Sequence, residues 1–441
     1  NCGAVLYSAE MERSLEVCPK CNAHQRLRAR KRLDLFLDPD NREELALGIE
    51  PRDPLRTRRR LDDACVDVGR PCLAGGLLGG QRLLARLERR VQPRVLREQL
   101  ELILEAWGMP ASYVEKTATV MVDTDLHGID SHGIGMLSGY NRWRKMGGIE
   151  FDAPITRLTD LPSLSLIDGG GGLGHPVGVE GMTIAISKAR ETGLGMVTVR
   201  HSNHFGAAGY YAKMALAYNL IGITMTGTPG SAVVPTFGKQ NMLGTNPIAF
   251  AAPTRRNPPF VLDMATSTIA IGKLTIAKRL GLPVKEGWAL DTNGNATTDP
   301  IIAREARRLT PLGGSRELGS HKGYGLAAMV DILSSTLSGA TILCVTREKA
   351  EDFNIGNVGH FFMALDPAAI RGDEKFQDEL DDLIDVLHAT PPADVNQPVL
   401  VAGDPEWEAF KTRSVEGIPI SEELAKEVQF VAEEAGVSYI F

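Results

Sequence analysis

The chain has 441 residues, 43% of them hydrophobic and 23% charged, with a net charge of −7 at pH 7. That length exceeds one compact core, so two or three domains are expected. The acidic balance argues against a general nucleic-acid binder or a membrane-surface protein. Six cysteines in so long a chain make no disulfide scaffold. No stretch nears the ~18 apolar residues of a membrane span, and "NCGAVLYSAE" has no signal-peptide core. The cytoplasm is the expected compartment.

The first segment, residues 1–72, carries Cys2 and the pair Cys18-Pro-Lys-Cys21. The spacing is that of a zinc ribbon lacking one cysteine, with His24 or water left to complete a tetrahedron. A basic run, Arg26, Arg28, Arg30, Lys31 and Arg32, either contacts nucleic acid or is a solvated helix face. "CLAGGLLGGQ" then reads as a junction, placed at 73–83.

After the junction, helical and strand patterns alternate as in an α/β protein. Leu96, Leu100, Ile103, Leu104 and Trp107 recur at helical spacing, closed by Gly108 and Pro110. Ser112 and Glu115 form a capping-box pattern for a second helix ending at Gly128. "LSLIDG" (164–169) reads as a buried strand, followed by a helix over 177–192 that stops at Gly193. "GMVTVR" and "IGITMTGT" are strands around a helix over 207–219, and "FVLDMATS" (260–267) is another strand. "KGYGLAAMVDILSSTLSG" (322–339) is a long buried helix, and acidic amphipathic helices near 374–388 and 421–435 finish the chain.

"DGGGGLGHP" (168–176) contains G-x-G-x-x-G at Gly169, Gly171 and Gly174 between a strand and a helix, the setting of a dinucleotide fingerprint. A run of glycines fits such a pattern by chance, and Glu191 stands at a helix end instead of a strand end. The plainer reading is a flexible loop allowing close backbone approach.

Of nine histidines, His132, His201, His204 and His321 sit beside glycines at element boundaries, and His360 opens "GHFFMALDP". Histidine suits proton transfer near neutral pH. His201 and His204, three residues apart, also admit a metal reading with His132 or Asp130 as a third ligand, although the motif contains no carboxylate. "MLGTNPIAFAAP" offers hydroxyl and amide groups at a turn. Lys322 at a helix start suits an anion or is simply solvated.

"DTDLHGIDSHGIGM", "GHPVG", "RHSNHFGAAGYYAKMA", "MLGTNPIAFAAP", "VLDMATS", "GWALDTNGNATTDP", "LTPLGGSRELGSHKGYGLAAMVDILSSTLSGA" and "GHFFMALDP" occur in that order. From about Leu84 to the C-terminus the chain thereby resembles the malate/L-lactate dehydrogenase family, which includes ureidoglycolate and sulfolactate dehydrogenases and diketogulonate reductase. The resemblance implies an NAD- or NADP-dependent oxidoreductase of 2-hydroxy and 2-oxo acids, and a homodimer. It also implies a non-Rossmann, mixed α/β cofactor domain (161–365). A helical part (84–160) carries the Ser-His-Gly motif, and a C-terminal helical part (366–441) packs on it. That fold class removes the dinucleotide reading of the glycine run.

The resemblance makes His132 and His204 the catalytic candidates, with Ser131, Tyr140, Asn203 and Lys322 on the substrate side. Thr228, Thr245, Asn246, Pro247, Asp263, Met264, Ala265, His321, Lys322, Gly323, Gly403 and Asp404 fall on the cofactor side. Many members carry an arginine one turn after the Ser-His-Gly histidine, suited to clamping a carboxylate. Here that position is Met136, so either Arg142 or Arg144 substitutes or the carboxylate binds elsewhere. Residues 1–55 resemble instead the zinc ribbon of the acetyl-CoA carboxylase carboxyltransferase β subunit, which makes Cys2, Cys18 and Cys21 zinc candidates. Two competing readings follow: a zinc-ribbon nucleic-acid or assembly module on an inactive enzyme-like body, or a carboxyltransferase partner.

Overall fold

Leu96, Leu100, Ile103 and Leu104 line one face of the first helix, and all four are fully buried. The computed structural model describes residues 89–346 and 356–441. Cys2, Cys18, Cys21 and the junction lie outside the described residues. A short strand β1 (Arg89–Val91) leads into α1 (Pro93–Ala106), where Pro93 at N1 gives up only an N–H that has no helical partner. The next helix, α2 (Ala111–Leu126), does not use the Ser112–Glu115 capping box. Pro110 takes the N-cap, its carbonyl accepting from the Tyr113 and Val114 N–H groups, and Ser112 falls inside the first turn. A 3-10 turn at Ile134–Met136 introduces α3 (Leu137–Lys145).

The central part is β2 (Thr156–Asp160), β3 (Leu164–Gly172), α4 (Gly174–Thr192), β4 (Leu194–Ser202), α5 (Ala208–Met214), β5 (Ile221–Thr226), β6 (Ile248–Ala252) and β7 (Phe260–Met264). A smaller lobe follows with α6 (Ile271–Leu280), β8 (Ala289–Leu290), β9 (Ala296–Thr297), α7 (Pro300–Ala306) and β10 (Arg308–Leu309). The long helix α8 (Ser320–Asp331) begins earlier than the sequence suggests and passes into a π turn at Ile332–Thr336. Then come α9 (Leu343–Thr346), β11 (Val358–Leu365), α10 (Pro367–Arg371), α11 (Phe376–His388), α12 (Asp404–Glu416), β12 (Ile418–Ile420) and α13 (Glu422–Ala435).

Seven strands form one mixed sheet in the order β2-β3-β4-β11-β5-β6-β7. Only β3 and β4 pair in parallel. β11 returns from late in the chain to lie between β4 and β5, antiparallel to both. This is a mixed α/β fold and not a doubly wound parallel sheet. α4 and α5 cover one face through Ala185, Ala189, Tyr211 and Ala212, against Val197, Val199 and Phe362. A separate core joins the two ends of the described chain, with Leu100, Met121 and Tyr140 packed against Ile418, Val428 and Val431.

The glycine run is not a loop. β3 continues through Gly172, and the Asn203 side-chain amide holds the run by donating to the Gly171 and Gly172 carbonyls at 2.8 and 3.2 Å. The backbone that these glycines approach is the chain's own. Glu191 lies exposed in the last turn of α4.

The pairing register places the ends of β3, β4, β5 and β7 and the starts of β6 and β11 at one edge. Val358 faces Ser202, Thr226 faces His360, and Met264 faces Ile248. Most sequence-derived site residues sit at this edge.

Candidate active site

His132 and His204 come from distant elements and stack with ring centroids 5.5 Å apart and 25° between planes. His204 follows the end of β4. His132 lies in the turn after α2, its Nδ1 2.7 Å from Ser131 Oγ. On His204, Nδ1 meets both Tyr140 Oη at 2.8 Å and the Gly206 N–H at 3.3 Å. Two donors on Nδ1 leave the proton of the neutral ring on Nε2. Trp143 lies 6.3 Å from the His204 ring, closing its α3 side.

Burial keeps both rings neutral. It pushes His132 below the ordinary histidine range. His204 is held further down by burial first and then by its imidazole neighbours His132, His175 and His360. His175, which lies in the "GHPVG" motif but was not among the site candidates, also belongs here. It is fully buried at the start of α4, edge-on to Tyr140 at 5.5 Å, and neither ring nitrogen has a hydrogen-bond partner among the described residues. Burial lowers it to about 3. His360 spans two strand ends, with Nδ1 2.7 Å from Thr226 Oγ1 and Nε2 2.9 Å from Ser202 Oγ.

His201 is not part of this cluster. It is exposed, with a left-handed backbone (φ 52°), and its Nδ1 faces Asp168 at 3.2 Å. The adjacent Arg200 holds the other carboxylate oxygen of Asp168. The two histidines of "HSNH" therefore point to different surroundings. Among the described residues no group of three or more His, Cys, Asp or Glu side chains is placed to hold a metal ion.

A buried carboxyl supports the His132 turn. Asp125 Oδ2 accepts the Ile134 N–H at 2.8 Å. A Cβ on Gly133 would fall 1.9 Å from Asp125 Oδ1, so only glycine fits there. Desolvation raises Asp125 to about 8. Arg413 on α12 ties the turn from outside through the Asp125 carbonyl and the Asp130 carboxylate. Spacing alone could not reveal a brace supplied from nearly 300 residues downstream.

Thr228, Thr245, Asn246, Pro247, Met264 and Ala265 all lie at the sheet edge. Thr266 Oγ1 donates to the Thr245 and Asn246 carbonyls, both at 3.0 Å, fixing the strap before β6. Asn246 has φ 35° and its Nδ2 donates to the Ala327 carbonyl on α8. A Cβ on Gly244 would fall 1.8 Å from Thr228 Oγ1 and 2.5 Å from Asn246 Oδ1, so these oxygens converge on a glycine-sized gap. Buried Asp331, at the end of α8, lines the same cavity as Gly227 and Thr228.

A second, more apolar cleft lies between α2, α5, β7 and α12, lined by Asp123, Lys213, Asp263, Gly403 and Trp407 among others. Asp263 Oδ2 accepts the Gly209 N–H at 2.7 Å. Burial, with Glu406 adding to it, raises this carboxyl to about 6. Asp404 is engaged by His388 and the Val401 N–H, both at 2.7 Å.

His321 and Lys322 are exposed on the first turn of α8, and neither hydrogen-bonds to the histidine cluster. Gly323 is buried beneath them, against Leu312. Neither arginine near Met136 reaches the cluster. Arg144 lies over the Trp107 ring at 5.3 Å and donates to Asn141, while Arg142 is exposed.

The malate/L-lactate dehydrogenase family model matches residues 91–429. Malate dehydrogenase of Pyrococcus horikoshii is 40% identical over 336 residues, 76% of this chain and 92% of that protein. L-sulfolactate dehydrogenase of Methanocaldococcus jannaschii is 38% identical over 76% of this chain and 94% of its own length. The crystal structure of malate dehydrogenase from Entamoeba histolytica superposes with a TM-score of 0.76 at 32% identity, covering 80% of this chain and all of that one.

Proposed function

The chain belongs to the malate/L-lactate dehydrogenase family and is a nicotinamide-dependent oxidoreductase of 2-hydroxy and 2-oxo acids; we propose that His132 and His204 flank its substrate and carry the proton. The observation behind this reading is the stacked pair itself, two neutral imidazoles from separate elements at the sheet edge. Bound nicotinamide supplies or accepts the hydride. The chain must supply a proton to the oxygen of the reduced carbonyl, or remove it in the reverse direction.

The Tyr140 contact leaves His204 Nε2 as the exchangeable position. A buried imidazole resists charging in an empty site. The carboxylate of a bound 2-oxo acid lowers that cost, so substrate binding itself favours the imidazolium that donates. Relatives named for malate and sulfolactate support a small acid of that type as substrate. NAD and NADP are both candidates, since one relative is named for NADP(+). The homodimer and the cytoplasmic setting belong to the same proposal. Among the described residues no helix is long and apolar enough to cross a membrane.

The test is NADH and NADPH oxidation against a panel of 2-oxo acids by wild type, His132→Gln and His204→Gln. A loss of at least ~10²-fold in kcat in either variant, with cofactor binding intact, supports the assignment. Wild-type turnover that survives in both variants overturns it.

A further inference from the structure

We propose that the cavity at the ends of β5 and α8 receives the carboxamide of the nicotinamide ring, with Asp331 Oδ2 and Asn246 Oδ1 accepting its two N–H bonds. This rests on the dehydrogenase reading and names two residues that fix the reacting ring.

Asp331 is 6% exposed and Asn246 fully buried. Asp331 Oδ2 and Asn246 Oδ1 are buried oxygens without a hydrogen-bond partner among the described residues. Buried acceptors left unpaired are costly, and a ligand, an ion or an ordered water completes the set in a native structure. The orientation of the Asn246 amide is fixed, because its Nδ2 donates to the Ala327 carbonyl at 2.9 Å. Its Oδ1 is thereby held beside Thr228 Oγ1, across the gap that Gly244 leaves open. The Thr228 hydroxyl proton goes to the Gly230 carbonyl. The cavity thus presents oxygen acceptors and calls for a donor. Burial raises Asp331 to about 6, against a hydrogen bond from Asn246 that lowers it.

Position selects the donor. Asp331 Oδ1 lies 3.8 Å from where a Cβ on Gly227 would stand. The preceding Thr226 bonds His360, and His360 bonds Ser202, two residues before His204. The cavity and the histidine pair therefore share one edge of the sheet, and the reacting end of the dinucleotide must lie there. At that end the group with two N–H bonds on one nitrogen is the carboxamide. The adenine amine has the same donors but sits at the far end of the cofactor.

The experiment titrates the full-length apoprotein with NADH, or NADPH if that form binds, and with the matching reduced 3-acetylpyridine analogue, whose methyl ketone lacks the N–H donors. Binding is followed by calorimetry. Wild type should prefer the natural cofactor by ~10-fold or more, the scale of leaving buried polar groups unpaired. Asp331→Leu should bring the two affinities within ~2-fold, chiefly by weakening the natural cofactor. Its thermal midpoint without ligand falls only by what the Asn246 hydrogen bond to this carboxyl contributes, and the affinity ratio is what decides. A wild-type ratio near one, or an unchanged ratio in Asp331→Leu, overturns the proposal and leaves the cavity to water. A lower midpoint with cofactor preference intact assigns Asp331 a purely structural role and also overturns it. Failure of wild type to bind either cofactor sinks the dehydrogenase reading itself.

Discussion

Tyr140 Oη lies 2.8 Å from His204 Nδ1, joining a helix of the terminal core to the end of a central strand. The tyrosine is fully buried and, among the described residues, makes no other side-chain hydrogen bond. On the proposed assignment it orients the imidazole and fixes its tautomer. Tyr140→Phe preserves the packing and removes that bond. Steady-state kinetics should show kcat falling ~10-fold, the effect of about 1–2 kcal/mol, with cofactor affinity unchanged. An undiminished kcat would remove Tyr140 from the site.

His132 and His204 both sit below the ordinary histidine pKa because burial disfavours their charged forms. A base must be neutral to accept a proton. Oxidation of the hydroxy acid should therefore hold its kcat/KM down through pH 6.5 and decline only below it. Reduction, which needs the protonated ring, should accelerate as pH falls through the same range. Opposite limbs in the two directions are the signature to look for in pH–rate profiles. Parallel limbs would point to another titrating group.

Asp125 gives stability its own pH dependence. Its folded pKa is about 8 against an ordinary aspartate value of 3.8, so the folded state keeps a proton that the unfolded chain releases. Stability is lost as pH rises between those values. His175 and His360, lowered to about 3, act oppositely. Their contribution is complete above pH 6.5 and disappears as pH falls toward 3. Asp263 and Asp331, both at about 6, have lost most of their effect by pH 6.5. From pH 6.5 to 8 the change left among these groups is that of Asp125, about 2 kcal/mol at ~1.4 kcal/mol per pH unit. Urea midpoints should drop over this interval in wild type and stay level in Asp125→Asn.

Gly133 separates the His132 turn from the buried Asp125 carboxyl. Gly133→Ala would place a methyl 1.9 Å from Asp125 Oδ1, forcing either the carboxyl or the His132 turn to move. The expected result is a kcat loss of ~10²-fold, since small displacements of a catalytic group carry that effect. Far-UV circular dichroism should remain native. Normal activity in this variant would show that the turn tolerates displacement.

The two histidines of "HSNH" should behave differently. His201 is exposed and bonds Asp168. His201→Ala is expected to keep kcat within ~2-fold, while His204→Gln loses most of it. Equal losses would contradict the separation that the structure places between them.

Local chemistry made much of this protein readable from its sequence. The apolar spacing of Leu96, Leu100, Ile103 and Leu104 specified α1, and Gly193 marked the end of α4, because helical period and the left-handed conformation are properties of a few neighbouring residues. The ordered motifs likewise carried the family and the candidates His132 and His204. The long-range decisions were made elsewhere. Nothing in "GHFFMALDP" says that its strand lies between β4 and β5, since strand partners are chosen by burial on both faces of the finished sheet. The glycine run looked like a loop until β4 and the Asn203 amide held it as strand. The Ser112 capping pattern yielded to Pro110 one turn-start earlier. His175, Asp125, Asp331 and Arg413 acquire their surroundings only when distant segments meet. Burial, the force that shifts their charges and leaves acceptors unpaired, depends on the whole packed chain and has no counterpart in residue spacing.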